Sequence, residues 1–161
     1  MSEENTATIN PEKYDYGKGG AYYVTVCVKG GQNILWKYAS NVDADSADNT
    51  PPLSGQGEHV AEAVKSVFDE NKNAVLDKMV VMPNHIHLTL FVTLEKAQKS
   101  AVIKRTVSNI MGQIKRATSK DAAWQESYYD RLVHDAAQYR KICEYIEANP
   151  SKWTEDCYFR E

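Results

Sequence analysis

The sequence is short of thiols. Its 161 residues hold three cysteines, Cys27, Cys143 and Cys157, an odd number without C-x-x-C spacing. That count argues against a disulfide framework and against a structural zinc site, which need paired or clustered sulfurs. Cys27 lies in an apolar stretch and is expected to be a small core residue. No apolar run approaches the roughly 18 residues needed to cross a bilayer. The opening MSEENTATINPEKYDYGKGG is polar and contains no apolar signal-peptide core. The expectation is a cytoplasmic protein without a membrane partner. Residues 1–14 are expected to form a flexible arm ahead of a single domain over 15–161. No internal repeat is visible.

Acidic residues are missing from one segment. Between Lys96 and Lys120 stand seven basic residues (Lys96, Lys99, Lys104, Arg105, Lys115, Arg116 and Lys120) and no Asp or Glu. The net charge of −3 argues weakly against a nucleic-acid partner, but the distribution of charge matters more than its sum. A basic stripe inside an acidic protein is either a solvated helix face or a track for phosphates. Lys104, Arg105, Lys115 and Arg116 are the candidate contacts.

Hydrophobic periodicity predicts the elements. AYYVTVCVKG (21–30) is rich in β-branched and aromatic residues and ends at Gly30-Gly31, the pattern of a strand and a turn. NILWKYAS (33–40) is expected to extend the sheet after that turn. Residues 41–57 form a small, acidic, Pro/Gly-bearing loop for which no role is evident. Val60, Ala63, Val64, Val67 and Phe68 repeat at helical spacing within 58–73. AVLDKMVVM (74–82) and HIHLTLFV (85–92) are two strands joined at Pro83-Asn84. Over 99–120, Ile103, Val107, Ile110 and Ile114 form one stripe, with the basic residues roughly opposite. A fourth strand is expected in 126–133. A last helix is expected over 135–149, with Asp135 as N-cap and Pro150 enforcing its end. The order β-α-β-β-α-β-α predicts an α+β fold: a ferredoxin-like, split-βαβ sandwich with one sheet face left for a ligand or the last helix.

The four histidines include a close pair in VVMPNHIHLTLFV. Residues i and i+2 of a strand point the same way, so His85 and His87 project from one face. Two neutral imidazoles side by side can grip one metal ion. Two strand histidines can equally be core residues, and the spacing alone does not separate these readings. In EYIEANP, Tyr145 and Asn149 stand four apart on one side of the last helix, beside the stripe Tyr139, Ile142, Ile146. They could reach the histidine face, or be a boundary tyrosine and a helix-ending Asn.

MPNHIHL resembles the HUH motif (His, hydrophobic, His) of single-tyrosine transposases. WQESYYDRLVHDAAQYRKICEYIEANPSKW resembles the C-terminal signature of their REP-associated tyrosine transposase branch, and GAYYVTVCVKG its first strand. The resemblance spans about residues 15–159. It implies that His85, His87 and Asn149 bind a divalent metal, Mg²⁺ or Mn²⁺, and that Tyr145 is the nucleophile of DNA cleavage. It implies a single-stranded or hairpin DNA partner and transfer through a 5′-phosphotyrosine. Tyr128 and Tyr129 match the strand-four signature and are structural or DNA-contacting; Tyr129 and Arg131 are candidate DNA contacts. His134 stands where the family often has Arg, and a neutral imidazole substitutes poorly for a guanidinium on phosphate. Insertion-sequence relatives are dimers that exchange the tyrosine helix, whereas the REP-associated branch need not be, so monomer and homodimer both remain open. Two other readings stay in play: a hairpin-binding protein that no longer cleaves, and an unrelated ferredoxin-like domain with a structural or small-molecule role.

Overall fold

The computed structural model describes residues 9–43, 50–93 and 100–161. Four strands, β1 (Ala21–Cys27), β2 (Ala74–Val81), β3 (His85–Val92) and β4 (Tyr129–Leu132), form one antiparallel sheet in the order β2-β3-β1-β4. Three helices, α1 (Gly55–Glu70), α2 (Ser100–Ala117) and α3 (Ala136–Ala148), complete the expected β-α-β-β-α-β-α order. The split-βαβ arrangement follows from this topology: β1 and β2 are joined through α1, and β3 pairs between them.

Alternation in the two central strands decides what each sheet face carries. Val24 and Val26 of β1, and Ile86, Leu88 and Leu90 of β3, pack on α1 and α2. Those helices answer with Val60, Val64, Val67 and Phe68, and with Ile103, Val107, Ile110, Met111 and Ile114. The α2 stripe is thus the expected one, with Met111 added. The opposite face bears His85, His87, Thr89 and Phe91, and is covered by α3 and the C-terminal segment. There Tyr139, Ile142 and Ile146 of α3 pack with Trp36, Val80, Met82, Phe91 and Trp153.

Capping sets the helix boundaries. The Ser54 hydroxyl accepts from the Gly57 N–H at 3.1 Å and starts α1 three residues earlier than the sequence suggested. Asp135 accepts from the Gln138 N–H at 2.8 Å, the predicted N-cap of α3. Gly57 also permits a close approach: a Cβ there would lie 2.0 Å from the carbonyl oxygen of Leu35.

Two expectations are corrected. Residues 33–40 add no strand; Trp36 makes one isolated bridge to Leu53, and its indole donates to the Val81 carbonyl at 2.7 Å. Both long edges of β1 are already occupied by β3 and β4, and the turn at Gly30 and Gly31 (φ 75° and 68°) directs the chain off the sheet. The expected arm is anchored over its last part, where Tyr14 donates to the Val92 carbonyl at 2.8 Å and packs 4.8 Å from the Phe91 ring; residues 1–8 lie outside the described residues. Asn149–Glu155 continues as a 3-10 helix that buries Trp153 completely. Of the basic segment, Lys96 and Lys99 lie outside the described residues.

Candidate metal and nucleophile site

β3 presents its two histidines to the face under α3, as the period of two requires. Both are fully buried, and their Nε2 atoms stand 3.1 Å apart. Their other ring nitrogens are held. Asn84 donates through Nδ2 to the carbonyls of Gly31 and Tyr158, at 3.3 and 2.8 Å, which turns its Oδ1 toward His85. His85 Nδ1–H therefore donates to that oxygen at 2.8 Å and leaves Nε2 as a lone pair. His87 Nδ1 lies 2.8 Å from the Thr25 hydroxyl and 3.0 Å from the Tyr23 hydroxyl, both on the neighbouring β1. Hydroxyls donate or accept equally, so His87 can carry its proton on Nδ1 and also present a lone pair at Nε2. Such outer partners orient the imidazoles of metal sites.

Electrostatics favours the neutral, ligating form. Burial lowers the His85 pKa well below the usual histidine range, with the neighbouring His87 adding to the effect. Burial alone brings His87 down to about 4.

The C-terminal segment supplies a third group that sequence reasoning missed. Asp156 places Oδ2 4.0 Å from His85 Nε2, its side chain nearly buried. The ligand atoms of His85, His87 and Asp156 all lie within 4.8 Å of one another, a set that could hold a metal ion. Burial raises the Asp156 pKa, while the Tyr158 N–H, donating to Oδ1 at 2.8 Å, and the Cys157 thiol work against that rise. Tyr158 covers the pair, its ring 4.6 Å from His85 and 6.2 Å from His87. Nothing periodic marks these residues. Their signal is only the aromatic density of WTEDCYF, unusual for a tail that would be left in solvent.

The predicted nucleophile reaches this face. The Tyr145 ring stands 5.7 Å from the His87 ring at 63°, and the residue is 44% exposed. Burial raises its pKa and Asn149 pulls it down. Asn149 donates through Nδ2 to the Tyr145 carbonyl at 2.9 Å, which fastens the end of α3. Its Oδ1 is buried with no hydrogen-bond partner. An orphaned buried amide oxygen is costly and fits a group that accepts a cation. The donor set of two imidazoles and one carboxylate suits a borderline divalent ion such as Mn²⁺.

A cavity of about 550 Å³ opens beside the pair, lined by His87, Tyr145, Tyr23, Lys141 and, from β4, Tyr129 and Arg131. Two of the proposed DNA contacts are thus brought to the site. The α2 cations are not. α2 packs on the other sheet face, where Lys104, Arg105 and Arg116 are exposed. Lys115, a candidate phosphate contact, donates its ammonium to the carbonyls of Gln125, Glu126 and Ser127 at 2.7, 2.8 and 3.4 Å. It fixes the loop that leads into β4. Among the described residues no helix is long and apolar enough to cross a membrane.

Known proteins share this architecture. A REP-associated tyrosine transposase solved bound to a REP hairpin superposes with a TM-score of 0.56 at 21% identity, over 90% of this chain and 74% of that one. A candidate transposase of Deinococcus radiodurans R1 gives 0.51 at 18% identity, over 87% and 96%. An uncharacterized protein of Haemophilus influenzae is 23% identical over 170 residues, covering 92% of this chain and 90% of its own. At these identities the structural likenesses bear on the fold. The family described as "Transposase IS200 like" matches residues 53–149, more than half of the chain. That span contains His85, His87, Tyr145 and Asn149, and stops short of Asp156. With the histidine pair on the inner strand and the tyrosine helix laid across it, the chain belongs to the IS200-like transposase family.

Proposed function

We propose that the protein is a metal-dependent endonuclease and strand transferase of single-stranded DNA, of the REP-associated branch, acting on hairpin-forming repeats through Tyr145. The observation that carries this reading is the placement of the Tyr145 ring 5.7 Å from His87, in the wall of the same cavity. His85, His87, Asn149 and Asp156 would hold the ion. A divalent ion there would supply positive charge to the scissile phosphate and steady the charge of its transition state.

The chain's own groups do the remaining work. A phenol titrates near 10 and burial raises Tyr145 further, so it meets the phosphate protonated and loses its proton as it attacks. The Tyr145 oxygen forms a bond to phosphorus, and the bond to the 3′ oxygen breaks. That oxygen takes up a proton and leaves as a 3′-OH, with the 5′ end kept as a phosphotyrosine. An incoming 3′-OH reverses the exchange and restores the phenol, so strand transfer needs no external energy source. Arg131 and Lys141 place positive charge in the same cavity for flanking phosphates. Lys104, Arg105 and Arg116 would extend that track over the opposite sheet face. Tyr145 stands beside the histidines of its own chain, which supports action without an exchanged helix.

The test is direct. The protein is incubated with a hairpin oligonucleotide bearing a 5′ single-stranded flank, with Mn²⁺ or with a chelator, and run on a denaturing gel. A covalent protein–DNA product that requires Mn²⁺ is expected. Hairpin binding without any product would favour the second reading, a hairpin-binding protein that does not cleave. The complete burial of His85 beneath Tyr158 is the observation on that side.

A further inference from the structure

Strand β2 breaks its alternation at Asp77. Ala74 and Leu76 ahead of it, and Met79 and Val81 after it, all pack on the apolar cluster under α1 and α2. The inward positions thus change from even to odd numbers across Asp77. The pairing with β3 records the same event: Leu76 stands opposite Leu90 and Lys78 opposite Thr89, which leaves Asp77 outside the register. An extra residue of this kind is a β-bulge, and bulges re-aim side chains. Unbroken alternation back from Val81 and Met79 would point the carboxylate into the apolar layer, where it would be costly. The bulge lets Asp77 serve the face under α3 instead.

There it meets Tyr139. The buried Tyr139 hydroxyl donates to Asp77 Oδ2 and lies 3.0 Å from the Thr89 hydroxyl. A carboxylate only accepts, so the Tyr139 proton points to Asp77 and Thr89 donates to the Tyr139 oxygen. Thr89 in turn accepts from the Lys78 N–H, the amide next to the bulge, at 2.9 Å. The chain from Lys78 through Thr89 and Tyr139 ends on a charged acceptor, the stronger kind of hydrogen bond. Burial raises the Tyr139 pKa above the usual phenol range, and the bond to Asp77 adds to the rise, so the phenol stays a donor.

The place of this network gives it a use. Ile142 and Ile146 also rest α3 on the sheet, but apolar contacts have no direction and let a helix slide or roll. Among the described residues, the side-chain hydrogen bonds from α3 to the sheet are those of Tyr139. Their anchor, Thr89, follows His87 on the same face of β3. Tyr145 lies about 9 Å further along α3 than Tyr139. Its ring stands 5.7 Å from that of His87. Neither Asp77 nor Tyr139 lines the cavity beside the histidines. We propose that Asp77 and Tyr139 are positioning residues for cleavage: their hydrogen bond sets the register of α3 on the sheet and so holds Tyr145 beside His87. The assignment rests on the proposed function and deepens it.

The experiment follows Tyr139→Phe, Asp77→Ala and Asp77→Asn in the full chain, each well below its melting temperature. Affinity for the flanked hairpin is read by fluorescence anisotropy. The rate of covalent product is read in a single turnover at saturating hairpin and Mn²⁺. The nuclear Overhauser contact between the Tyr145 and His87 rings is read without DNA or metal. Tyr139→Phe keeps the packed ring and loses only the hydroxyl. It and Asp77→Ala should bind the hairpin like the native protein, weaken the ring contact and form product about 10- to 100-fold more slowly. Asp77→Asn keeps an acceptor for the phenol and should recover most of the rate. A merely structural role would not divide rate from affinity in this way. The assignment is overturned if Tyr139→Phe and Asp77→Ala form product at the native rate or keep the ring contact. It is also overturned if affinity falls in step with the rate, or if Asp77→Asn is as slow as Asp77→Ala. Should Tyr139→Phe fail to fold, Asp77→Ala, at a half-buried strand position, carries the test. If the native protein forms no covalent product, the proposed function falls and this assignment with it.

Discussion

The two faces of the sheet are built on different rules. The face under α1 and α2 is built around an apolar cluster, with Leu88, Ile86, Val24 and Ile110 among its fully buried residues. The face under α3 buries two histidines, Thr25, Thr89 and Asn149 beside its apolar residues, and leaves the Asn149 oxygen without a partner. A fold that needed only stability would not bury neutral imidazoles 3.1 Å apart. The first face makes the domain cohere, and the second spends part of that cohesion on a polar site.

Substitutions can break this contrast. The largest effect is expected on the apolar face. Leu88→Ala should destabilise the protein by about 2–5 kcal/mol, read as a lower denaturant midpoint, because the cavity it leaves cannot fully collapse. Binding of Mn²⁺ by the folded fraction should be unchanged. On the polar face the sign of the trade reverses. Asp156→Asn should weaken Mn²⁺ binding about 10- to 100-fold, measured by titration followed by electron paramagnetic resonance. Its melting temperature should hold or rise, because a buried carboxylate is replaced by a neutral amide of the same shape. A fall in stability without a change in metal affinity would make Asp156 a structural residue.

Charge reversal of Lys104 and Arg105 to Glu lies outside both cores. It should weaken hairpin binding about tenfold at low salt and flatten the salt dependence by about one unit of slope for each phosphate no longer neutralised. Equal affinity of variant and native protein at two salt concentrations would remove α2 from the DNA surface. The smallest effect is expected at Lys115, whose ammonium holds three carbonyls ahead of β4. Lys115→Met should cost about 1 kcal/mol of stability. A loss of hairpin affinity beyond what the shifted β4 explains would return it to the phosphate track.

The apolar face was legible in the sequence because its signals are local and periodic. The α2 stripe, the β3 alternation and the Asp135 cap each occupy one short window and suffice for the element order. The shared face of the histidine pair was legible for the same reason, and the placement of Tyr145 beside it was suggested by helix spacing and the family resemblance. What stayed hidden is held by contacts far apart in the chain. Residues 33–40 have a strand's composition, but neighbours that no local window records had already filled the edges of β1. Asp156 reaches His85 only because Trp153 is buried and Asn84 binds the Tyr158 carbonyl. The basic segment was legible as charge, yet its placement behind the sheet, and the use of Lys115 within the fold, depend on how α2 packs.

The most direct test of the central claim locates the covalent bond. The Mn²⁺-dependent protein–DNA product is digested and its peptides are mapped by mass spectrometry, with Tyr145→Phe run in parallel. The nucleotide is expected on the peptide containing Tyr145, with no product from Tyr145→Phe although it still binds the hairpin. A product formed by Tyr145→Phe, or attachment at Tyr129 or Tyr158, would contradict the claim.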